Sequence, residues 1–363
     1  MHTIVTFGEI MGRLCPTGFN RFRQALPGEL NMTFAGAEAN VAASIAMMGG
    51  ETRFITSLPQ HDVSAACLFT LRGLGIDTAF IVPSDQGRLG LYFVETGANQ
   101  RPSRVIYDRD HSSVSLTPAS AYDWDGIFEG AGWLHTTGIT PALSQQSAEA
   151  TTEAVKRAKQ AGLTVSYDLN FRKKLWRWHS SKTTKELVRE TTEKILTHVD
   201  VVIGNEEDAS DVLGIEAENT DVYSGKIDPW KYKQVAEAIV GKFPNVSKVA
   251  ITLRESLSAS HNKWGAMLYD SKAKSTSFAP NVNGDYQPYQ IRNIVDRVGG
   301  GDAFGAGLIY ALNTPELQAT EAAVAYAVAA SCLAHSISGD FNFSTREEIE
   351  TLLKTGGSGR VVR

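Results

Sequence analysis

Asp296-Arg297-Val298-Gly299-Gly300-Gly301-Asp302-Ala303-Phe304-Gly305-Ala306-Gly307 reads as a backbone turn built to meet an anion. Glycine tolerates positive φ and lets a ligand approach the main chain with no Cβ in the way. Three in a row, Gly299, Gly300 and Gly301, would turn several N–H groups toward one point. The small-residue pattern that follows predicts a helix over 303–312, whose positive dipole end would face the same point. Asp302 then has two readings. As an N-cap it would satisfy orphan amides at the helix start. As a general base it would take a proton from a hydroxyl beside the bound anion. A carboxylate next to a phosphate is repelled unless a cation or oriented amides intervene, and the glycine turn supplies the amides.

At 363 residues the chain is long for one compact core, so one large α/β domain with a minor appendage, or two domains, is expected. Hydrophobic residues make up 42% and charged residues 21%, the balance of an ordinary globular enzyme. The formal charge of −5 disfavours nucleic acid as the main partner, because a phosphate backbone calls for a basic face. The first seven residues read as a strand, not as a charged leader followed by an apolar segment. The longest apolar stretch, 319–337, is alanine-rich and contains Glu321 and His335. It is too short and small-sided for a membrane span and reads as a helix packed closely inside the fold. Cys15, Cys67 and Cys332 are widely spaced, and neither they nor the eight histidines form a metal-ligand pattern. Buried reduced thiols, no zinc site and a cytoplasmic location are the expectation, with no membrane partner.

Short, apolar, β-branched runs at 5–7, 53–56, 79–82, 133–135, 164–167, 199–203 and 248–252 predict strands. Helical patterns lie between them at 38–48, 63–74, 147–161, 185–197, 206–213 and 229–242, and a last one follows at 319–335. The alternation predicts an α/β fold with a doubly wound, mostly parallel sheet flanked by helices. Ligands of such sheets bind beyond the carboxyl ends of the strands. Residues 12–35 and 88–108 break the rhythm and fit a small separate β-sheet, which would act as a lid. The expected organisation is a single domain over 1–354 with that lid, and a flexible tail over 355–363.

Phosphate-cradling glycines come in several kinds. No G-x-x-x-x-G-K-[ST] is present, which disfavours a P-loop NTPase. The dinucleotide fingerprint fails at Phe304 and would sit near the wrong end of the chain, which disfavours a Rossmann dehydrogenase. The run Asp296-Arg297-Val298-Gly299-Gly300-Gly301-Asp302 instead resembles the D-T-x-G-A-G-D signature of the ribokinase-like (PfkB) carbohydrate kinases. Phe34-Ala35-Gly36-Ala37-Glu38-Ala39-Asn40-Val41-Ala42, about 260 residues earlier, resembles that family's G-G-x-x-x-N-x-A signature. The departures are Arg297 for threonine and Gly300 for alanine. The resemblance implies a ribokinase-like fold, Asp302 as catalytic base, and an anion hole formed by the amides of Gly299, Gly300 and Gly301. Phosphoryl transfer is mainly positioning and charge stabilisation, so this division of labour is physically sensible.

Within the family, Gly8-Glu9-Ile10-Met11, Asp168-Leu169-Asn170-Phe171-Arg172 and Ser338-Gly339-Asp340-Phe341-Asn342 are similar to the 2-keto-3-deoxygluconate kinases. That likeness implies substrate contacts from Gly36, Asn40, Tyr92, Tyr107, Arg109, Asn170, Arg172 and Asp340. A sugar acid calls for a cation, preferably a guanidinium fork, and Arg172 and Arg109 are the candidates. Each arginine also has the plainer reading of a surface ion-pair partner, the tyrosines that of lid core, and Asp340 that of a turn residue. Arg13 falls near a position where neutral-sugar members of the family carry an aspartate, and a cation there suits an anionic ligand.

ATP is implied as phosphoryl donor and Mg²⁺ as its partner, with a monovalent cation left open. Asn205-Glu206-Glu207-Asp208 resembles the family's N-x-x-E motif, with Asp208 one methylene shorter than the usual glutamate, so a role through water is expected. The acid-rich run also fits a plain helix N-terminus. Asn205, Thr252 and Arg254 are expected at the nucleotide, with Ala329, Ala330 and His335 near the adenine. The leading expectation is phosphorylation of the primary hydroxyl of 2-keto-3-deoxygluconate. A kinase of a neutral sugar or nucleoside, and a non-catalytic sugar-acid-binding protein, are the alternatives. The resemblance also implies a homodimer or higher homo-oligomer.

Overall fold

The computed structural model describes residues 2–205, 207–216 and 231–357. The expected tail beyond 357, the expected helix start at 206 and residues 229–230 of the next expected helix lie outside the described residues.

A nine-stranded sheet forms the centre of the molecule. Six strands run parallel in the spatial order Thr52–Ile55, Thr3–Phe7, Ala131–Thr137, Thr164–Asp168, Val201–Asn205 and Lys248–Ser258. Their inner residues, such as Ile4, Val5, Val165, Val202 and Ile203, are buried on both faces, which is why these strands read as continuous apolar runs. One face is covered by the helices Ala37–Met47, Gly300–Leu312 and Thr320–Ala334, through Val41, Ile45, Phe304, Val324 and Val328. The other face carries Gln145–Gln160, Thr184–Leu196 and Lys231–Lys242, through Ala154, Val155, Leu187, Ile195 and Ile239.

Local chemistry sets several helix starts. The Ser144 hydroxyl accepts from the Ser147 amide at 3.0 Å, and Arg157 and Lys159 stand in the last turn of the same helix. Thr183 with Glu186, and Thr345 with Glu348, form reciprocal caps.

Beyond residue 252 the sheet departs from the sequence reading. Lys248–Ser258 continues into an antiparallel hairpin with His261–Asp270, which then pairs with both Ser275–Ala279 and Tyr289–Arg292. The strand expected at 79–82 lies slightly later, at Val82–Ser84, and pairs with Ser57–Pro59 outside the main sheet. Pro83 cannot donate to a ladder, which suits such an edge position. The helix expected over 206–213 is a short π-helical turn, Ala209–Leu213. Cys15, Cys67 and Cys332 are unpaired; Cys67 is buried and the other two are half-buried. Among the described residues no helix is long and apolar enough to cross a membrane.

The two segments that broke the helical rhythm form one four-stranded sheet in the order Asn31–Ala35, Met11–Cys15, Gly90–Glu95 and Arg104–Asp108. Met11–Cys15 and Gly90–Glu95 run parallel, with Arg13 opposite Tyr92. This small sheet stands over the carboxyl ends of the parallel strands, and a cavity of about 300 Å³ lies between them.

Candidate active site

The cavity wall joins residues from both ends of the chain: Gly36 and Asn40, Tyr92, Tyr107 and Arg109, Asn170 and Arg172, and Gly299, Gly301, Asp302 and Asp340. Asn205, Asp208, Thr252 and Arg254 also line it. Gly300 is not on the wall; it is buried against His335, whose ring would lie 3.0 Å from a Cβ added there.

The glycine turn starts the helix Gly300–Leu312. Gly299 is its N-cap, with φ of +82°, and an added Cβ would lie 2.3 Å from the Asp340 carbonyl oxygen. Only glycine meets both demands. Among the described residues, no acceptor takes the amides of Gly299, Gly300, Gly301 or Asp302, so the first turn keeps its N–H groups available. Gly299→Ala is expected to cut turnover by about tenfold or more and to lower Tm, since strain and overlap act together. Gly301→Ala, with nothing within 4 Å of its Cβ, is the folding control, and thermal melts of both variants provide the check.

Asp302 is the third residue of this helix and does not cap it. Its carboxylate accepts instead from Asn40 Nδ2 at 2.6 Å. The orientation of the Asn40 amide is fixed because its Oδ1 accepts from the Gly36 amide at 3.2 Å. Gly36 itself packs so tightly that a Cβ would sit 2.0 Å from the Glu9 carbonyl oxygen. The two signatures, distant in sequence, therefore meet in one short chain of contacts. Burial pushes the Asp302 carboxyl up to about 7, with Asp340 and Glu38 adding to the rise while Asn40 and Arg172 oppose it.

Acidic groups crowd this end of the cavity. Asp168 is held well above the usual carboxylate range by burial and by the nearby carboxylates of Asp208 and Asp302. Burial also raises Asp208, whose oxygens accept the amides of Phe171 at 3.2 Å and Asn205 at 3.0 Å. The Asn205 side chain returns the bond, accepting the Asp208 amide at 3.0 Å. Glu38 is raised by burial too, and its Oε1 accepts from the Thr137 hydroxyl at 2.8 Å and the Thr140 hydroxyl at 2.7 Å. Glu38 and Asp168 were within the quoted motifs but had no assigned role. The available signal was an acid in a first helical turn, or at a strand end, facing the carboxyl edge of a parallel sheet.

No group of three or more His, Cys, Asp or Glu side chains among the described residues is arranged to hold a metal ion directly. The mutual repulsion of Asp168, Asp208 and Asp302 nevertheless fits a hard divalent cation retaining several of its own waters.

The arginines differ in a way the sequence did not reveal. Arg109 lines the cavity, but its Nε donates to Glu9 at 2.7 Å and its Nη2 also pairs with that carboxylate. It is buried, over the Tyr107 ring at 5.4 Å, and its charge is already matched. Arg13 is not on the wall at all: it is 3% exposed and paired with Asp296 and Asp340. It is therefore not a free cation for an anionic ligand, contrary to expectation. Tyr92, also buried, donates its hydroxyl to Asp340 at 2.7 Å, while Tyr107 is 45% exposed. Asn170, at φ of +35°, donates its amide to Asp168 at 3.1 Å. Arg172 is exposed, makes no ion pair among the described residues, and gives one bond, to the Phe171 carbonyl at 3.0 Å.

Thr252, Arg254, Arg297 and Trp264 also face the cavity. Arg297 donates to the carbonyls of Ser258 at 2.9 Å and Ala259 at 3.1 Å, and burial together with Arg254 lowers its affinity for a proton. Ala329 and Ala330, expected near an adenine, are fully buried between helices and do not reach the wall. His335 is likewise buried behind Gly300, with its ring bonded to the Ser331 carbonyl at 2.7 Å.

Residues 1–345 match the pfkB family carbohydrate kinases. The chain is 30% identical over 356 residues, 98% of each sequence, to the 2-dehydro-3-deoxygalactonokinase of Haloferax volcanii. The crystal structure of the 2-dehydro-3-deoxygluconokinase of Thermotoga maritima superposes with a TM-score of 0.86 at 40% identity, over 98% of this chain and all of that one. A PfkB family carbohydrate kinase of Listeria grayi superposes with a TM-score of 0.82 at 31% identity, over 97% of this chain and 99% of that one. With both signatures joined across one cavity and a match running almost end to end, this chain belongs to the pfkB family of carbohydrate kinases.

Proposed function

We propose that this kinase transfers the γ-phosphate of ATP to the primary hydroxyl of a 2-keto-3-deoxy sugar acid, with 2-keto-3-deoxygluconate as the first candidate. The observation that carries the reading is Arg172, a cavity-lining guanidinium in no ion pair among the described residues, near enough to Asp302 to oppose the rise of its carboxyl. A substrate carboxylate is the natural partner for such a fork. The relatives named for 2-dehydro-3-deoxy sugar acids, an equivalent name for the 2-keto-3-deoxy compounds, point the same way. The galactonate epimer is an alternative acceptor, because one inverted hydroxyl changes none of the residues above.

In this reading Asp302 accepts the proton of the attacking hydroxyl while Asn40 holds its carboxylate in line. The unpaired amides of the glycine turn meet the charge that develops on the transferred group. Arg254 and Thr252 face the nucleotide, and the small sheet acts as a lid that keeps water, a competing acceptor, out of the site. Asp168 and Asp208 would hold Mg²⁺, largely through water, and the ion would neutralise phosphate charge when bound. Consumption of ATP fits the cytoplasmic nucleotide pool. A homo-oligomer through the small sheet draws support from its outer strand, where Val105, Ile106 and Tyr107 are all exposed along an unpaired edge.

A neutral-sugar reading draws on one observation: Glu9 already matches Arg109, which leaves that wall without net charge. A coupled ATP-consumption assay across 2-keto-3-deoxygluconate, 2-keto-3-deoxygalactonate, ribose and fructose separates the readings. Preference for either acid supports the proposal, and preference for ribose or fructose overturns it.

The acid limb of the pH profile follows from Asp302. A general base must be deprotonated, so with its proton held up to about 7, log kcat/KM is expected to rise with pH and flatten above that value. A profile flat from pH 5 to 8, on an approximate scale, would exclude Asp302 as the titrating base.

A further inference from the structure

We propose that Arg13 is a positioning residue that locks the small sheet to the phosphate-binding turn, so that one buried guanidinium sets the geometry of both. The inference rests on the kinase reading only for its catalytic consequence; the mechanical coupling stands on contacts alone.

Arg13 lies in the strand Met11–Cys15 of the small sheet, and its side chain is 3% exposed. Its two terminal nitrogens go to different carboxylates. Nη2 pairs with Asp296 and Nη1 with Asp340, and both partners are buried. Burial alone would work against the charge on Arg13, yet the two aspartates outweigh it and hold the proton more firmly than usual.

Each aspartate grips one side of the glycine turn. Asp296 Oδ1 accepts the amides of Arg297 at 2.8 Å and Val298 at 3.1 Å, which shapes the approach to Gly299. Its Oδ2 also takes the Gly339 amide at 3.3 Å, tying that approach to the segment before Asp340. The main-chain carbonyl of Asp340 packs directly on Gly299, in the space a Cβ would need. Asp340 Oδ2 meanwhile accepts the Tyr92 hydroxyl at 2.7 Å, from the neighbouring strand of the small sheet. Arg13 and Tyr92 are direct partners in that parallel pair. The small sheet thus reaches the turn through two adjacent side chains, and both lines of contact end on Gly299 or its approach.

A buried, fully used ion cluster is a poor source of net stability but a precise fixer of register. Removing Arg13 leaves two buried carboxylates facing each other, which would loosen the small sheet and the turn together. Neither partner could compensate, because each is anchored on its own side by backbone amides or by Tyr92.

The test compares Arg13→Met, Arg13→Lys and Tyr92→Phe with the unmodified chain, using two readouts. Hydrogen exchange is followed over residues 11–15 and 90–95 and at the bonded amides of the turn, Arg297, Val298 and Ala303. In Arg13→Met, exchange is expected to rise in the small sheet and in the turn together, while the central strand 164–168 stays protected. Kinetics with a sugar-acid acceptor supply the second readout. There kcat is expected to fall by about tenfold or more, and ATP consumed per acceptor phosphorylated to exceed one, as water gains access. Lysine reaches only one of the two carboxylates and is expected to restore part of the loss, and Tyr92→Phe to shift both readouts the same way but less.

A folded Arg13→Met chain with unchanged exchange at the turn overturns the coupling, whatever the acceptor proves to be. So does a loss of turnover with one ATP still used per phosphorylation, or full activity in the soluble fraction of a thermally weakened variant. If the unmodified chain phosphorylates no sugar acid, the substrate assignment fails while the exchange experiment still decides this inference.

Discussion

Asp302→Asn is expected to bind the sugar acid with near-normal affinity and to lose turnover by a factor on the order of 10² or more. The amide keeps the volume and can still meet Asn40, so the fold around the glycine turn has no reason to change. What disappears is the acceptor for the hydroxyl proton. The substitution also removes a buried carboxyl whose charging is resisted by its surroundings, so the variant should not melt earlier than the parent at pH 8. The sign follows from linkage: a raised folded-state pKa gives stability that is full below the unfolded value and is lost as pH rises through the folded one. Stopped-time assays with separate binding titrations make the comparison. Near-normal turnover in this variant would remove Asp302 from the role of base.

Arg172→Ala is expected to raise KM for the sugar acid by about 10- to 100-fold, the range for losing hydrogen bonds to a charged group. Turnover at saturation should change far less, and a neutral sugar should be almost indifferent. Arg172 makes no ion pair among the described residues, so its removal breaks no direct contact with an acid and a folding defect is not expected, although Asp168, Asp208 and Asp302 lose a nearby positive charge. An equal loss for acids and neutral sugars would mean that this guanidinium serves something other than the carboxylate. The contrast with Arg109 is informative. Its loss would strand Glu9 without a partner in a buried wall, so Arg109→Ala confounds binding with packing.

Much of this site could be read from sequence because it is built from backbone. The glycine run announces positive φ and free amides through its composition, and the alternation of strands and helices places it at the carboxyl edge of a sheet. Charge pairing was not legible in the same way. Arg13 meets Asp296 and Asp340 across 283 and 327 positions, and Arg109 meets Glu9 across 100, distances over which no local pattern operates. In sequence each arginine can be a free cation or an ion-pair partner, and only the fold, by placing the acid beside it, decides. The antiparallel hairpins beyond residue 252 escaped for another reason. Lys248–Ser258 keeps its apolar run only as far as Leu253, and its exposed continuation carries none of the burial that marks a central strand. Ala329 and Ala330 show the reverse error: small residues that suggest room for a ligand are here small because two helices pass close together.

The Asn40–Asp302 contact spans 262 positions, and this has a consequence for synthesis. A nascent chain emerging from the ribosome can assemble its early strands, since domains fold from the amino end as they appear. In the proposed reading it cannot own a reactive centre until Asp302 has followed Asn40, 262 positions later. Products truncated before Asp302 would then be inert toward the nucleotide pool.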